Sequence, residues 1–311
     1  MTIDPELLPA MQRYRDAWPV PGRELPLEVW RERYERLVVA ARPAPPVGVT
    51  WVDRLVGPAA VRVRIYRPPV PSLLPGLVFL HGGGWVIGSV ESHHDITLAI
   101  AAEAACVVVS VDYSRSPEHA FPAAFDEGRA VLDWLAREAT EWDVDPGRLL
   151  VGGDSAGGNL AAAIALAAAD GRAAPLAGQV LLYPCLDTDF ENRSFAASGQ
   201  TPFLTSDEMK WFWDRYAPSA ETRRDRFAVP MRASDAHLAA VAPAFVATAE
   251  HDPLHDEGRA YAERLRRLGV PVEYEAGAGL LHGFIRMREA ASEPARIHRA
   301  MCAWIRRAGV R

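Results

Sequence analysis

From about residue 49 onward, short apolar runs alternate with longer segments of helical period. Val61-Arg62-Val63-Arg64-Ile65-Tyr66 alternates strictly, the period of a half-exposed antiparallel strand. Residues 77–80, 107–111, 149–151, 180–182 and 245–249 are short apolar runs followed by glycine or polar residues. Such runs suit parallel strands buried on both faces. Residues 272–275 read as a further strand. Helical patterns occupy 96–105, 123–139, 156–169 and 257–268. Gly171 and Gly269 stand just past two of them, where a left-handed residue closes the last turn. Strand–helix alternation predicts an α/β architecture: a mostly parallel twisted sheet flanked by helices and joined by right-handed crossovers.

Two intervals break this rhythm. Residues 1–46 predict two short helices, 6–18 and 27–41, separated by Pro19, Pro21 and Pro26 and followed by a linker at Pro43, Pro45 and Pro46. The second presents a broad apolar face, suited to lying on another surface. Residues 187–230 form an insertion rich in aromatic side chains. Thr205 and Glu208 have capping-box spacing, so a helix begins there. Met209, Phe212, Trp213 and Tyr216 then recur on one face. An aromatic insertion in an α/β chain suits a lid over a site.

The chain of 311 residues is 49% hydrophobic and 24% charged, which excludes disorder and low-complexity structure. Its formal net charge of −6, without a basic stripe, argues against a nucleic-acid partner. No apolar run is long enough to span a bilayer, and the N-terminus lacks the pattern of a signal peptide, so a cytoplasmic protein without stable membrane insertion is expected. Cys106, Cys185 and Cys302 lie far apart, with neither disulfide nor metal spacing among themselves. They read as buried apolar thiols, and no metal is expected.

Chemistry enters at Gly153-Asp154-Ser155-Ala156-Gly157, which follows an apolar strand and opens an alanine-rich helix. This is G-x-S-x-G in the strand–turn–helix setting of a nucleophile elbow. Its glycines allow close backbone approach, and the helix N-terminus aims free N–H groups at developing negative charge. His81-Gly82-Gly83-Gly84-Trp85 directly follows another strand. Its bare N–H groups can line an oxyanion hole. His81 is expected to pin that loop by hydrogen bonds. A serine nucleophile needs a base and an orienting carboxylate, here in the order Ser, Asp or Glu, His. Asp252 is the better acid, with Glu250 and Asp256 as alternatives. His282 lies in a glycine-rich loop after the last strand.

These motifs, together with Val111-Asp112-Tyr113, Pro117-Glu118-His119, Phe121-Pro122-Ala123, Asp252-Pro253-Leu254, Asp256-Glu257-Gly258 and His282-Gly283-Phe284, resemble the hormone-sensitive-lipase-like esterases, bacterial lipolytic family IV, through nearly the whole chain. Gly-Asp-Ser-Ala-Gly places the chain in one subgroup. Ser114-Arg115-Ser116 departs from the family's usual Arg-Leu-Ala, and Gly277-Ala278-Gly279 is unusually glycine-rich, as a mobile loop would be. The resemblance implies an α/β-hydrolase core, 47–186 and 231–311, with a cap from residues 1–46 and 187–230. It implies Ser155, Asp252 and His282 as triad and the N–H groups of Gly83, Gly84 and Ala156 as oxyanion hole. Trp85, Met209 and Trp213 are the expected pocket residues. The implied activity is cofactor-free hydrolysis of small-molecule carboxylic esters, short to medium in chain, through an acyl-serine, with a homo-oligomer compatible. Two alternatives stand at this stage. One is a hydrolase of amides, lactones or acetylated metabolites with the same triad. The other is a non-catalytic binder like the plant gibberellin receptors, which lack the triad histidine that this chain retains.

Overall fold

The computed structural model describes residues 2–18, 20–199 and 201–310. Pro19, one of the prolines expected to separate the first helices, lies outside them. In chain order the elements are α1 (Leu8–Ala17), α2 (Leu27–Ala40), β1 (Thr50–Val56), β2 (Val61–Arg67), β3 (Leu74–Leu80), α3 (His94–Ala104), β4 (Val107–Val111), α4 (Ala123–Glu138), β5 (Val144–Asp154), α5 (Ala156–Ala169) and β6 (Gly178–Leu182). Then follow α6 (Arg193–Ala197), α7 (Ser206–Tyr216), α8 (Asp235–Leu238), β7 (Ala244–Ala247), α9 (His255–Arg267), β8 (Val272–Glu275) and α10 (Ser292–Arg307).

The strands form one sheet in the order β1-β2-β4-β3-β5-β6-β7-β8. β1, β2 and β4 pair antiparallel, and from β4 to β8 all pairing is parallel. This is the α/β-hydrolase arrangement. Alternate residues of the central strands feed two cores, as the pleat requires. Val78, Leu80, Val109 and Val151 join side chains of α4, α5 and α9 on one face, whereas Leu77, Phe79, Val108 and Leu150 join those of α3 and α10 on the other. β3 lies between β4 and β5, so the chain direction across the sheet reverses there. A crevice at such a switch point is where open α/β sheets place ligands.

β2 departs from the half-exposed strand predicted by its alternation. Only Arg67 is exposed and Arg62 is half-buried. The reason is an ion-pair cluster over its polar face. Arg64 donates to Asp53 at 2.6 Å and to Glu91 at 2.6 Å, and Arg62 donates to Asp53 at 2.7 Å and to Asp112 at 3.0 Å. The strands also run longer than their apolar runs at β3 and β5. β1, with a largely exposed burial pattern, has no apolar run to announce it.

The N-terminal helices and the insertion meet each other. Trp30 of α2 packs on Trp211 and Phe212 of α7, at centroid distances of 5.3 and 5.4 Å. The capping box at Thr205 and Glu208 is present, and Met209, Phe212, Trp213 and Tyr216 are all buried. Among the described residues, no helix is long and apolar enough to cross a membrane.

Candidate active site

β5 ends in the elbow, and its neighbour β3 ends in the glycine loop, with Leu80 beside Gly153. The approach leaves no room for side chains. A Cβ on Gly157 would lie 1.9 Å from the Leu80 carbonyl oxygen, and one on Gly153 would lie 2.4 Å from the backbone of Gly157. Ser155 is held at φ +56°, a strained conformation for a non-glycine residue, and its N–H donates to the Leu182 carbonyl at 2.8 Å.

Asp252 follows β7 and His282 follows β8. The two loops are tied by a parallel bridge between His251 and Leu281, and the His251 N–H donates to the Leu280 carbonyl at 2.9 Å. His282 is thereby set between Asp252 and Ser155. Its Nδ1 lies 2.7 Å from Asp252 Oδ2, and its Nε2 lies 2.9 Å from Ser155 Oγ. The other carboxylate oxygen of buried Asp252 accepts from the Leu254 N–H at 2.9 Å. The two alternative acids are engaged elsewhere. Glu250 accepts from the Gly279 N–H at 2.8 Å, and Asp256 accepts from the Ser194 N–H at 2.9 Å. The glycine-rich stretch before His282 is likewise tied down. Besides the Glu250 bond, the Gly277 carbonyl accepts from Glu250 and Leu280, and the Gly279 carbonyl accepts from Asp4.

The glycine loop is fixed by two sets of contacts. His81 stacks on Tyr113 at 4.1 Å, and its carbonyl accepts from the Tyr113 hydroxyl at 2.7 Å. Its Nδ1 lies 3.0 Å from the Gly82 carbonyl, which it can reach as an N–H donor. Burial pushes the His81 imidazole down to about 3, so it stays neutral. Asp154 holds the other side, accepting from the Gly82 N–H at 2.9 Å. Gly82 is consumed in this way, whereas the N–H groups of Gly83, Gly84 and Ala156 have no hydrogen-bond partner among the described residues.

Several contributors carry no sequence signal of their own. Burial alone would raise the Asp154 carboxyl, but His93, half-buried Arg286 and the Gly82 N–H outweigh it and hold the group down to about 2. Arg286 donates to His93 Nε2 at 2.8 Å and to the Tyr34 hydroxyl at 3.1 Å. Phe212 lies over the loop so closely that a Cβ on Gly84 would enter its ring. Cys185 Sγ lies 3.9 Å from Ser155 Oγ and 3.8 Å from Met209 Sδ. Trp213 meets Trp85, the residue after the glycines, at 4.7 Å. The signals for these contacts are long-range, so spacing along the chain could not show them. Asp154 and Trp85 lie within motifs and Arg286 four residues after His282, yet their contacts are made across the chain.

A serine on a strained elbow, an imidazole shared with a buried carboxylate and unpartnered N–H groups at the adjoining strand ends match a serine-hydrolase arrangement on an α/β sheet. Residues 77–286 match the family described as alpha/beta hydrolase fold. The chain belongs to this family, in its hormone-sensitive-lipase-like branch. It is 37% identical over 288 residues to the carboxylesterase NlhH of Mycobacterium tuberculosis, covering 90% of this chain and 89% of that protein. It is 39% identical over 236 residues to the ethyl acetate hydrolase of Pseudomonas putida, covering 74% and 73%. The crystal structure of a thermostable esterase from Pseudomonas putida ECU1011 superposes with a TM-score of 0.92 at 31% identity, over 99% of this chain and 98% of that one.

The Asp154 contact yields a pH prediction. The native carboxyl titrates near 2 rather than at its ordinary 3.8, so the stability it contributes is complete above about 4 and is lost as pH falls toward 2. Asp154→Asn is expected to be less stable at neutral pH and to lose less stability between pH 4 and 2 than the parent, as measured by urea unfolding across that window. Parallel pH profiles would show that Asp154 is not held down.

Proposed function

We infer that the protein is a serine carboxylesterase. The observation that carries this reading is His282, whose two ring nitrogens reach Ser155 Oγ at 2.9 Å and Asp252 Oδ2 at 2.7 Å. Its relatives, a carboxylesterase and an ethyl acetate hydrolase, support the ester as the bond cleaved. Ser155 Oγ attacks the ester carbonyl as its proton passes to His282 Nε2. Asp252, accepting from Nδ1–H, fixes the tautomer and stabilises the imidazolium. The carbonyl oxygen takes up negative charge at the N–H groups of Gly83, Gly84 and Ala156, where one such donor is typically worth ~3 kcal/mol. His282 then protonates the leaving alcohol. Water, activated by the same imidazole, releases the acid from acyl-Ser155.

In this reading residues 1–46 and 187–230 form the cap, over a core of residues 47–186 and 231–311. The Trp30 contacts with Trp211 and Phe212 support that division. The substrates are small-molecule esters and the setting is cytoplasmic. Met209 and Trp213 bound the acyl pocket. Met209 reaches Cys185, which touches Ser155, and fully buried Trp213 abuts Trp85. A rigid indole wall shortens a cavity rather than yielding to a long chain.

Two tests follow. Ser155→Ala is expected to abolish both the product burst from an activated ester and covalent labelling by a phosphonate. Asp252→Asn is expected to lower kcat by about 10⁴-fold with the fold intact. Persistent labelling of Ser155→Ala, or a mild Asp252→Asn beside a crippled Asp256→Asn, would overturn the triad. The second test is a chain-length profile. Esters of about C4 to C8 are expected to be preferred over C12 and longer, each accommodated methylene adding up to ~0.8 kcal/mol until the wall is met. Trp213→Ala is expected to shift the optimum of kcat/KM to longer chains with acetate esters little changed. An unshifted profile removes Trp213 from the pocket.

A further inference from the structure

Where the C-terminal end of α3 packs on α10, three metal-ligating side chains from two segments converge. Glu103 comes from α3, and His298 and Cys302 come from α10, one helical turn apart at i and i+4. That spacing puts both α10 side chains on one face, where they can chelate a single ion. Their ligand atoms all lie within 4.8 Å of one another, and this is the only such group of three among the described residues. The cysteines show no metal spacing among themselves because the other two ligand types are imidazole and carboxylate.

The distances decide between a hydrogen-bonded cluster and a metal site. His298 Nε2 lies 3.6 Å from Cys302 Sγ. Tetrahedral zinc, with Zn–N of about 2.05 Å and Zn–S of about 2.3 Å, separates N and S by about 3.6 Å. That edge is already at ligand separation. The second edge, His298 Nε2 to Glu103 Oε2, is 2.7 Å. It must open to about 3.3 Å for both atoms to bind one zinc. Glu103 can make this move, because its side chain is 41% exposed whereas that of His298 is 5% exposed. Glu103 also lines a surface cavity of about 780 Å³ with His94, Asp95 and Arg288, so this ligand stands at an opening to solvent.

The donor set is informative too. One sulfur, one imidazole nitrogen and one carboxylate oxygen form a borderline-soft site, which suits zinc over calcium or magnesium. Two anionic ligands, once the Cys302 thiol has released its proton to solvent, balance a dication. The geometry points to a site for one tetrahedral divalent transition-metal ion, zinc in class, held by Glu103, His298 and Cys302. We propose this as a structural site that clamps α3 to α10, separate from the ester chemistry. Arg306, whose guanidinium donates to the Glu103 carbonyl, already links the same two helices.

The test uses the full chain, stripped with a chelator and titrated with Co²⁺ under reducing conditions. The expected result is one Co²⁺ per chain, with a thiolate-to-cobalt charge-transfer band and visible bands of tetrahedral intensity, all displaced by Zn²⁺. Cys302→Ser is expected to remove the charge-transfer band while ester turnover stays at the parent level. Zn²⁺ is expected to raise Tm in the parent but not in this variant. Glu103→Gln, a near-isosteric change at a half-exposed position, is expected to weaken Co²⁺ binding roughly tenfold or more. The absence of a charge-transfer band in the parent, or a band and affinity unchanged in Glu103→Gln and Cys302→Ser, overturns the proposal. Should Cys302→Ser fail to fold, Glu103→Gln decides alone.

Discussion

At the ends of β3 and β5 two backbones touch, and the geometry of the site depends on that contact. The Leu80 carbonyl occupies the space where Gly157 would carry a side chain, and Gly153 is closed in by the same two residues. Any Cβ there would drive the strands apart or tilt α5 away from them. Close approach is what brings the glycine loop, from one strand end, against the elbow that opens α5, from the other. The alanine-rich sequence of α5 serves the same end. Twelve of its residues are buried, and small side chains let the helix sit low against the sheet. The positive φ of Ser155, of a kind that costs about 1–3 kcal/mol, is sustained because the surrounding contacts leave no alternative.

Electrostatics fastens the same junction. Asp154 stands inside the elbow yet faces away from the nucleophile's chemistry, gripping the first glycine of the opposite loop through its N–H. A buried carboxylate is costly unless it is compensated. Here the Gly82 N–H donates to it at 2.9 Å, and Arg286, four residues beyond His282, supplies the permanent positive charge nearby. The result couples three segments far apart in sequence. The loop carrying His282 leads directly into Arg286, whose guanidinium bonds the Ser92 carbonyl at 2.8 Å. The segment that follows His282 is thus anchored to the same charged cluster that holds the glycine loop.

How much of this the sequence reveals follows from the range of each interaction. Local signals read well. The elbow, the glycine loop, the capping box at Thr205 and the helices after β4 and β5 are all written within a few consecutive residues. The loops that carry Asp252 and His282 are legible as well, because each follows a strand that the sequence predicts. Long-range contacts read poorly. The alternation of β2 predicts a solvated face, but Asp53, Glu91 and Asp112 arrive from three other segments to cover its arginines. The paired roles of Asp154 and Arg286 are invisible for the same reason. Apolar periodicity also underestimates β5, whose first residues, Val144 to Arg148, are strand by pairing rather than by pattern.

The N-terminal segment shows how distant pieces support one loop. Trp30 stacks on Phe212, and Phe212 in turn lies over Gly84. The next residue, Arg31, donates to the Val86 carbonyl at 2.9 Å and to the Ser116 carbonyl at 2.9 Å. Ser116 itself donates its N–H to the Trp85 carbonyl. Arg31 is further held by Glu118, at 2.8 Å from each of two guanidinium nitrogens. Two adjacent side chains of α2 therefore brace the glycine loop, one by pressing an aromatic ring onto it and the other by bonding the chain that leaves it. A loop of three glycines has high conformational freedom, and the bare N–H groups that suit it to an oxyanion also deprive it of side-chain packing. The bracing has to come from outside the loop, and α2 with α7 supplies it. Packing of α2 on α7 and rigidity of the glycine loop are in this way properties of the same contacts.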